Sequence, residues 1–223
     1  MRTLVDLVND ADPGWPLVLE AVRGAENHTR VLPTTRTRGE AALLALQVTS
    51  RSPMGAIALE SGGIAVDHGW VRILGAGGPE MDGDIARWNA LGPAAPLAPP
   101  LEHALRVAFD AIGGTFAING GGLGPDLGKA YYFAPDSLEW EPLDRGYSDL
   151  LQLFFRGDLA KFYEGARWPG WEREIAGASL DHGIHLWPPL CSKEGEDPSK
   201  VSRKAVPLAE LVPFHEDMRR QLT

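Results

Sequence analysis

The segment GGTFAINGGGLGPDLGKAYYFAPDSLEW, residues Gly113–Trp140, decides the fold class. It contains two runs typical of β-strands, residues 115–119 and 129–134, and a glycine-rich connection between them. Glycine reaches positive φ without strain, so this connection is typical of the turn in a β-hairpin. The segment therefore predicts neighbouring antiparallel strands near the middle of the chain.

The glycine-rich connection, Gly120–Lys129, also has the composition of a phosphate-binding loop. Such a loop follows the pattern G-x-x-x-x-G-K-[ST] and leads into a helix. Counting back from Gly128 and Lys129 places Leu123 where the first glycine belongs, and Ala130 replaces the hydroxyl that would hold magnesium. The sequence that follows is typical of a strand, so the loop predicts a hairpin and no bound nucleotide or other cofactor.

Working outward from this hairpin, short apolar runs predict further strands and periodic runs predict helices. The predicted strands are residues 55–60, 63–67, 70–74 and 104–112, and the predicted helices are residues 3–24 (in two pieces), 38–48, 147–155, 158–164 and 208–221. Because strands and helices are grouped without β-α-β alternation, we expect an α+β fold with a mainly antiparallel sheet and flanking helices. We expect one domain over residues 1–223, with a proline-rich internal loop at 91–100 and a mobile loop at 192–207.

Charge distribution bears on the partners that the protein could bind. The net charge is −9, and residues 52–192 carry all of it, through nine basic and eighteen acidic side chains. Such a surface repels nucleic acid and attracts a basic protein or a cation. No apolar run is long enough to cross a membrane, and Asp6 and Asp10 interrupt any secretion signal, so we expect a cytoplasmic protein without membrane contact. The lone Cys191 excludes an internal disulfide.

Candidate binding residues lie in and after the glycine-rich segment. They are Asn119 and Asp126 in the connection, Asp136, Glu139 and Trp140 after the second strand, and the pair Trp168 and Trp171 around Pro169 and Gly170. The two tryptophans of the pair are hard to bury together, so we expect them to contribute to a recognition patch. Carboxylates beside an indole also suit sugar chemistry, although Asp136 follows a proline and is typical of a turn or helix cap.

Histidine and cysteine chemistry is the remaining possibility. His182 and His185 are three residues apart, a spacing that metal sites use on helices, with Asp181 as a third candidate ligand. Gly183 between them argues against a helix, so we predict no metal site. Cys191 follows two prolines and has no general base near it in sequence, which favours a structural role over a nucleophilic one.

Three long strings carry a resemblance to a known family. ALLALQVTSRSPMGAIALESGGIAVDHGWVRILG, GGTFAINGGGLG with YYFAPDSLEWEPLDRGYSDLL, and GDLAKFYEGARWPGWE resemble the bacterial domain of unknown function 2625 over nearly the whole chain. That family offers no catalytic residues to carry over. The C-terminal half is distantly similar to the SUKH superfamily, through its glycine-rich hairpin, its aromatic strand and a helix like YSDLLQLFF. This second resemblance implies an α+β binding scaffold, many of whose members are immunity proteins against polymorphic toxins, but this chain is longer and its N-terminal strands have no counterpart there.

Three hypotheses follow for function. The acidic middle, the aromatic second half and the lack of a workable catalytic set favour a non-enzymatic module that binds a basic protein, as an immunity protein does. The first alternative is an enzyme of unfamiliar type that uses the carboxylates near the glycine-rich hairpin. The second is a structural homodimer that pairs exposed strand edges.

Overall fold

The computed structural model describes residues 1–222. The helices are Leu4–Leu7 (α1), Trp15–Arg23 (α2), Arg36–Leu46 (α3), Pro53–Glu60 (α4), Ile85–Trp88 (α5), Tyr147–Arg156 (α6), Leu159–Phe162 (α7), Trp171–Ala176 (α8) and Leu208–Leu222 (α9). The strands are Thr29–Leu32 (β1), Gly63–Val66 (β2), Val71–Leu74 (β3), Ala104–Asp110 (β4), Thr115–Asn119 (β5), Ala130–Ala134 (β6), Glu139–Pro142 (β7), His182–Trp187 (β8) and Ser202–Pro207 (β9). Within these residues, no helix combines the length and the apolar character needed to cross a bilayer.

The main sheet contains β1 to β7 in sequence order, and every neighbouring pair is antiparallel. The predicted α+β fold with a mainly antiparallel sheet is therefore confirmed. The proline-rich segment 91–100 lies between β3 and β4, which pair with each other, so it is a connection within this sheet. A separate ribbon of β8 and β9 precedes α9.

Both faces of the main sheet are covered, because successive strand residues point to opposite sides. On one face Ile64 and Val66 of β2 pack in one cluster with Ile57 of α4 and Phe154 of α6. On the other face Ala65 belongs to a cluster with residues of α5 and α9. The strands consequently read as continuous apolar runs, in which any charged residue is unusual.

Residues 55–60 form part of helix α4, so the prediction of a strand at these residues was wrong. Ser52 caps this helix by accepting a hydrogen bond from the Gly55 amide, and Pro53 occupies its first turn, where a missing amide hydrogen costs nothing. A short apolar run does not distinguish a buried helix from a buried strand by its period. The neighbour of β2 at the sheet edge is instead β1, which the sequence pattern did not indicate.

The prediction of a loop at residues 192–207 was wrong for residues 202–207, and its mobility stays a prediction. Its second part forms β9, which pairs with β8 from Ser202 opposite Trp187 to Pro207 opposite His182. Its first part contains a 3₁₀ turn that Ser192 caps by accepting from the Gly195 amide. The polar composition of this segment reflects the exposure of much of β9. The backbone groups of β9 are satisfied by pairing with β8, which a polar sequence does not reveal.

His215 of α9 is buried against Gly113, and burial lowers the pKa of its imidazole to about 4, with the charge of His185 acting in the same direction. Between pH 4 and pH 6.5 the unfolded chain therefore binds a proton that the folded chain does not. Stability should rise with pH across this window, by about 3 kcal/mol from this residue.

We expect His215→Gln to flatten the dependence of the free energy of unfolding on pH in that window, measured by urea denaturation at several pH values. His103→Asn alters an exposed histidine and should leave the slope unchanged. An equal slope in wild type and His215→Gln would contradict the assignment.

Candidate functional site

The hairpin of β6 and β7 separates two cavities. Trp140 lies opposite Phe133, with the two rings edge to face at a centroid distance of 5.4 Å. The next residue, Glu141, lies opposite Tyr132. Because side chains alternate along a strand, Trp140 and Glu141 point to opposite sides of the hairpin. Asp136 lies in the turn between the strands and lines both cavities.

The larger cavity has a volume of about 570 Å³. Three carboxylates line it, those of Glu102, Asp136 and Glu139, together with the indole of Trp140. Arg219 of α9 also reaches this cavity. All three acidic residues are exposed, so the cavity is an open, negatively charged recess with one aromatic wall.

The smaller cavity has a volume of about 120 Å³. Its aromatic walls come from Tyr132 of β6, Phe162 of α7 and Tyr163, and its carboxylates are those of Asp136, Glu141 and Glu164. Together the two cavities and the five carboxylates of Glu102, Asp136, Glu139, Glu141 and Glu164 are called the acidic face below.

A buried carboxyl group lies behind the smaller cavity. Asp110 is fully buried and accepts a hydrogen bond of 2.7 Å from the Tyr132 hydroxyl, and it also accepts from the amides of Ile112 and Gly114. Burial raises the pKa of Asp110, and burial together with this carboxylate raises the pKa values of Tyr132 and Tyr163 well above the ordinary value. The Tyr163 hydroxyl is buried and has no hydrogen-bond partner within residues 1–222.

The structure brings some of the predicted binding residues together and separates others. Asp136, Glu139 and Trp140 line the larger cavity side by side. The glycine-rich connection contributes Gly122 and Leu123 to the same cavity, whereas the exposed Asp126 lines neither cavity. The predicted cluster of acids beside an indole therefore lines one cavity, to which the connection contributes backbone and a leucine.

Asn119 organises the glycine-rich connection from inside. It is 1% exposed, and its side-chain oxygen accepts from the amides of Gly121 and Leu123 while its side-chain nitrogen donates to the carbonyls of Gly124 and Asp126. The amides of Gly120 and Gly122 donate to the His103 carbonyl. These four amides already have acceptors within the chain, and the connection leads into β6, so the hairpin interpretation is confirmed.

Asn119→Ala should lower the free energy of unfolding by about 2–4 kcal/mol, because it removes four hydrogen bonds and leaves partly buried backbone groups without partners. Asp126→Ala, at an exposed position of the same connection, should change it by less than about 0.5 kcal/mol. Urea denaturation of both variants measures the difference. A cost for Asn119→Ala as small as that of Asp126→Ala would show that the connection does not depend on this side chain.

Trp168 and Trp171 belong to a different cluster from the acidic face. Trp168 is 2% exposed and donates from its indole nitrogen to Glu174, so only Trp171 of the predicted pair keeps part of its ring at the surface. Trp171 is half-buried and, with Trp70 and Tyr163, surrounds the Arg167 guanidinium at 4.1–4.9 Å from each ring centre. The pair is thus occupied by contacts within the chain.

His182 and His185 both lie on β8, where a spacing of three places them on opposite faces of the strand. The carboxylate of Asp181 accepts hydrogen bonds from the amides of Asp82 and Gly83. Within residues 1–222, no group of three or more His, Cys, Asp or Glu side chains could hold a metal ion.

Cys191 lines the larger cavity and is partly buried. Burial raises the pKa of its thiol, and the negative charge of Asp136 acts in the same direction. The thiol is therefore protonated at neutral pH, which is the opposite of an activated nucleophile.

Sequence reasoning missed two buried charged residues of the main sheet, Asp110 behind the smaller cavity and Arg72 on β3. Arg72 is 1% exposed, none of its side-chain nitrogens has a hydrogen-bond partner within residues 1–222, and burial lowers the pKa of this arginine to about 10. The signal was present in the sequence, since Arg72 in VRIL and Asp110 in VAFD are charges within apolar strands.

Comparison with known proteins shows which family and which proteins the chain is similar to. Residues 4–211 match the model of a family described as "Protein of unknown function DUF2625". The chain belongs to the DUF2625 family. A "Putative uncharacterized protein YbfG" of Escherichia coli K12 is 40% identical over 223 residues, which cover all of both chains. An "Uncharacterized protein" of Haemophilus influenzae is 34% identical over 175 residues, 78% of this chain and 76% of that protein. The resemblance to the DUF2625 family is confirmed, and the resemblance to the SUKH superfamily stays a prediction.

Proposed function

We propose that this DUF2625 protein is a non-enzymatic module that binds a basic protein partner through the acidic face. The observation that supports the proposal is the concentration of five exposed carboxylates around two neighbouring cavities, each of which has aromatic walls. Carboxylates attract Lys and Arg side chains, and rings in the same recess add cation–π contacts.

The overall charge of the chain acts in the same direction as the site. The net charge of −9 comes from residues 52–192, and these residues include all five carboxylates of the acidic face. A field of this sign speeds the encounter with a basic partner, and the effect falls as salt increases. A basic nuclease toxin is one positively charged partner of this kind, and a protein that neutralises such a toxin would act as an immunity protein.

Affinity capture with three forms of the chain tests the proposal. Wild type, the charge-reversed Asp136→Lys/Glu139→Lys/Glu141→Lys variant and the control variant Asp10→Lys/Glu20→Lys/Glu26→Lys are immobilised and exposed to lysate of the organism that encodes the chain. The control changes the net charge equally, at exposed positions that line neither cavity.

We expect a basic protein to bind wild type and the control, to be absent from the charge-reversed form, and to be released by about 0.5 M salt. Recovery of no basic protein by wild type, or equal recovery by all three forms, would rule out the acidic face as the binding site.

The homodimer remains the competing proposal for the exposed sheet edges. β1 and β7 are the two edge strands of the main sheet, and an edge strand offers unpaired backbone groups to a second copy. Sedimentation analysis of wild type over a range of concentrations measures this directly. A concentration-independent monomer mass would dismiss it.

A further inference from the structure

We propose that the smaller cavity is the anchor site for a single arginine side chain of the partner. This inference rests on the proposed function and deepens it, since it assigns the side chain that the acidic face recognises.

The dimensions of the cavity suit the head of one side chain. Its volume is about 120 Å³, which corresponds to roughly four water molecules at about 30 Å³ each. A guanidinium group has four heavy atoms, so its size matches this space. The larger cavity is several times the volume of such a group and would not contact it on all sides.

The walls and rim of the cavity match a flat cation. Phe162 and Tyr132 are partners in a ring cluster, with their centroids 5.3 Å apart, and Phe162 and Tyr163 are 4.8 Å apart. The carboxylates of Asp136, Glu141 and Glu164 lie at the same cavity, and Glu141 is held by the Ser137 hydroxyl, which donates to it. Aromatic faces and carboxylates together favour a guanidinium, which stacks and donates in one plane.

The polar groups of the cavity select for a donor. The Tyr132 hydroxyl hydrogen is committed to Asp110, so its oxygen can only accept a further hydrogen bond. A guanidinium carries five N–H donors and no acceptor, so it complements the three carboxylates that line the cavity.

The chain itself shows the same recognition on a neighbouring surface. The guanidinium of Arg167 lies 4.9 Å from the ring centre of Tyr163 and 4.1 Å from that of Trp171, and it donates to the Asp67 carboxylate at 2.5 Å. Tyr163 therefore already takes part in one arrangement of rings and a carboxylate around an arginine. The smaller cavity repeats that combination without a cation of this chain among its lining residues.

Titration of the ¹⁵N-labelled full chain with N-acetyl-arginine methylamide, followed by amide chemical shifts, tests this assignment. The comparison probes are the lysine analogue and the citrulline analogue, which has the shape of arginine without its charge. We expect saturable shifts confined to residues 132–136, 141 and 162–164 with the arginine probe, weaker binding of the lysine probe and no saturable shifts with citrulline.

Two variants make the test specific. Glu141→Gln/Glu164→Gln should weaken binding of the arginine probe by about tenfold or more, because it removes two of the three carboxylates that line the cavity. Glu20→Gln/Glu26→Gln removes the same charge at exposed positions that do not line the cavity, and it should bind the probe like wild type.

The results also separate this inference from the proposed function. Equal binding of arginine and citrulline probes, shifts outside the cavity, or no effect of Glu141→Gln/Glu164→Gln would overturn the anchor site even if a basic partner is captured. Specific binding of the arginine probe without any captured partner would support the anchor site and reject the proposed protein partner.

Discussion

Replacing Arg106 by methionine is expected to lower the free energy of unfolding by about 3–5 kcal/mol, because it removes one member of a buried ion pair. The Arg106 side chain is 0% exposed and that of its partner Glu216 is 21% exposed, with 2.7 Å between nitrogen and oxygen. Arg106 also donates to the carbonyls of Trp88 and Pro99. One side chain of β4 thus connects α5, the proline-rich connection and α9.

Urea denaturation of Arg106→Met, Glu216→Gln and the double variant forms a cycle that isolates the coupling between the two groups. We expect the double variant to cost less than the sum of the single changes, because neither charge is then left buried alone. Arg106→Lys should not restore wild-type stability, since a single ammonium cannot reach the three acceptors in the planar arrangement of a guanidinium. A cost below about 1 kcal/mol for Arg106→Met would show that the pair contributes little.

Replacing Asp110 by alanine is expected to have an effect of similar size, about 3–5 kcal/mol. The change removes the acceptor of the Tyr132 hydroxyl and of the Ile112 and Gly114 amides, so it loosens the turn between β4 and β5. It also removes a negative charge that favours the protonated form of the buried Arg72. Denaturation by urea, monitored by tryptophan fluorescence, measures the loss.

Two smaller substitutions divide this effect into its parts. Tyr132→Phe removes only the hydroxyl contact and should cost about 1 kcal/mol. Asp110→Asn keeps an acceptor for the two amides but removes the charge. Burial raises the pKa of Asp110, so stability should fall as pH rises through the range between its ordinary and its raised value, and Asp110→Asn should remove this dependence. Similar costs for Asp110→Ala and Tyr132→Phe would contradict the role of the amide contacts.

The hairpin could be predicted from sequence because its signals are local. Alternation in AYYFA and the glycines before it depend on backbone geometry that neighbouring residues set. The assignment of residues 55–60 to a strand failed because GAIALE is apolar on every side and its caps, Ser52 and Pro53, are the only local sign of a helix. Residues 202–207 were expected to be mobile because their polar composition does not reveal the pairing with β8.

The candidate site was predicted in part. Asp136, Glu139 and Trp140 are close in sequence and remain close in space. Glu102, Glu164 and Tyr163 come from distant segments that only the packing of α7 and the strand connections brings to the same hairpin. Trp168 and Asn119 were candidate binding residues in the sequence analysis, but both are buried in the structure. The sequence did not indicate this, because burial depends on what covers a side chain.

By itself the sequence determined the family, the antiparallel hairpin, and the negative charge of the region that carries the site, because each depends on residue identity and near neighbours. The tertiary structure decided which carboxylates share a cavity, which rings form its walls, and that the charged side chains of Asp110 and Arg72 are buried. Those features arise from contacts between residues far apart in the chain. Such contacts form, and stabilise the fold, only when the sheet and its covering helices pack together.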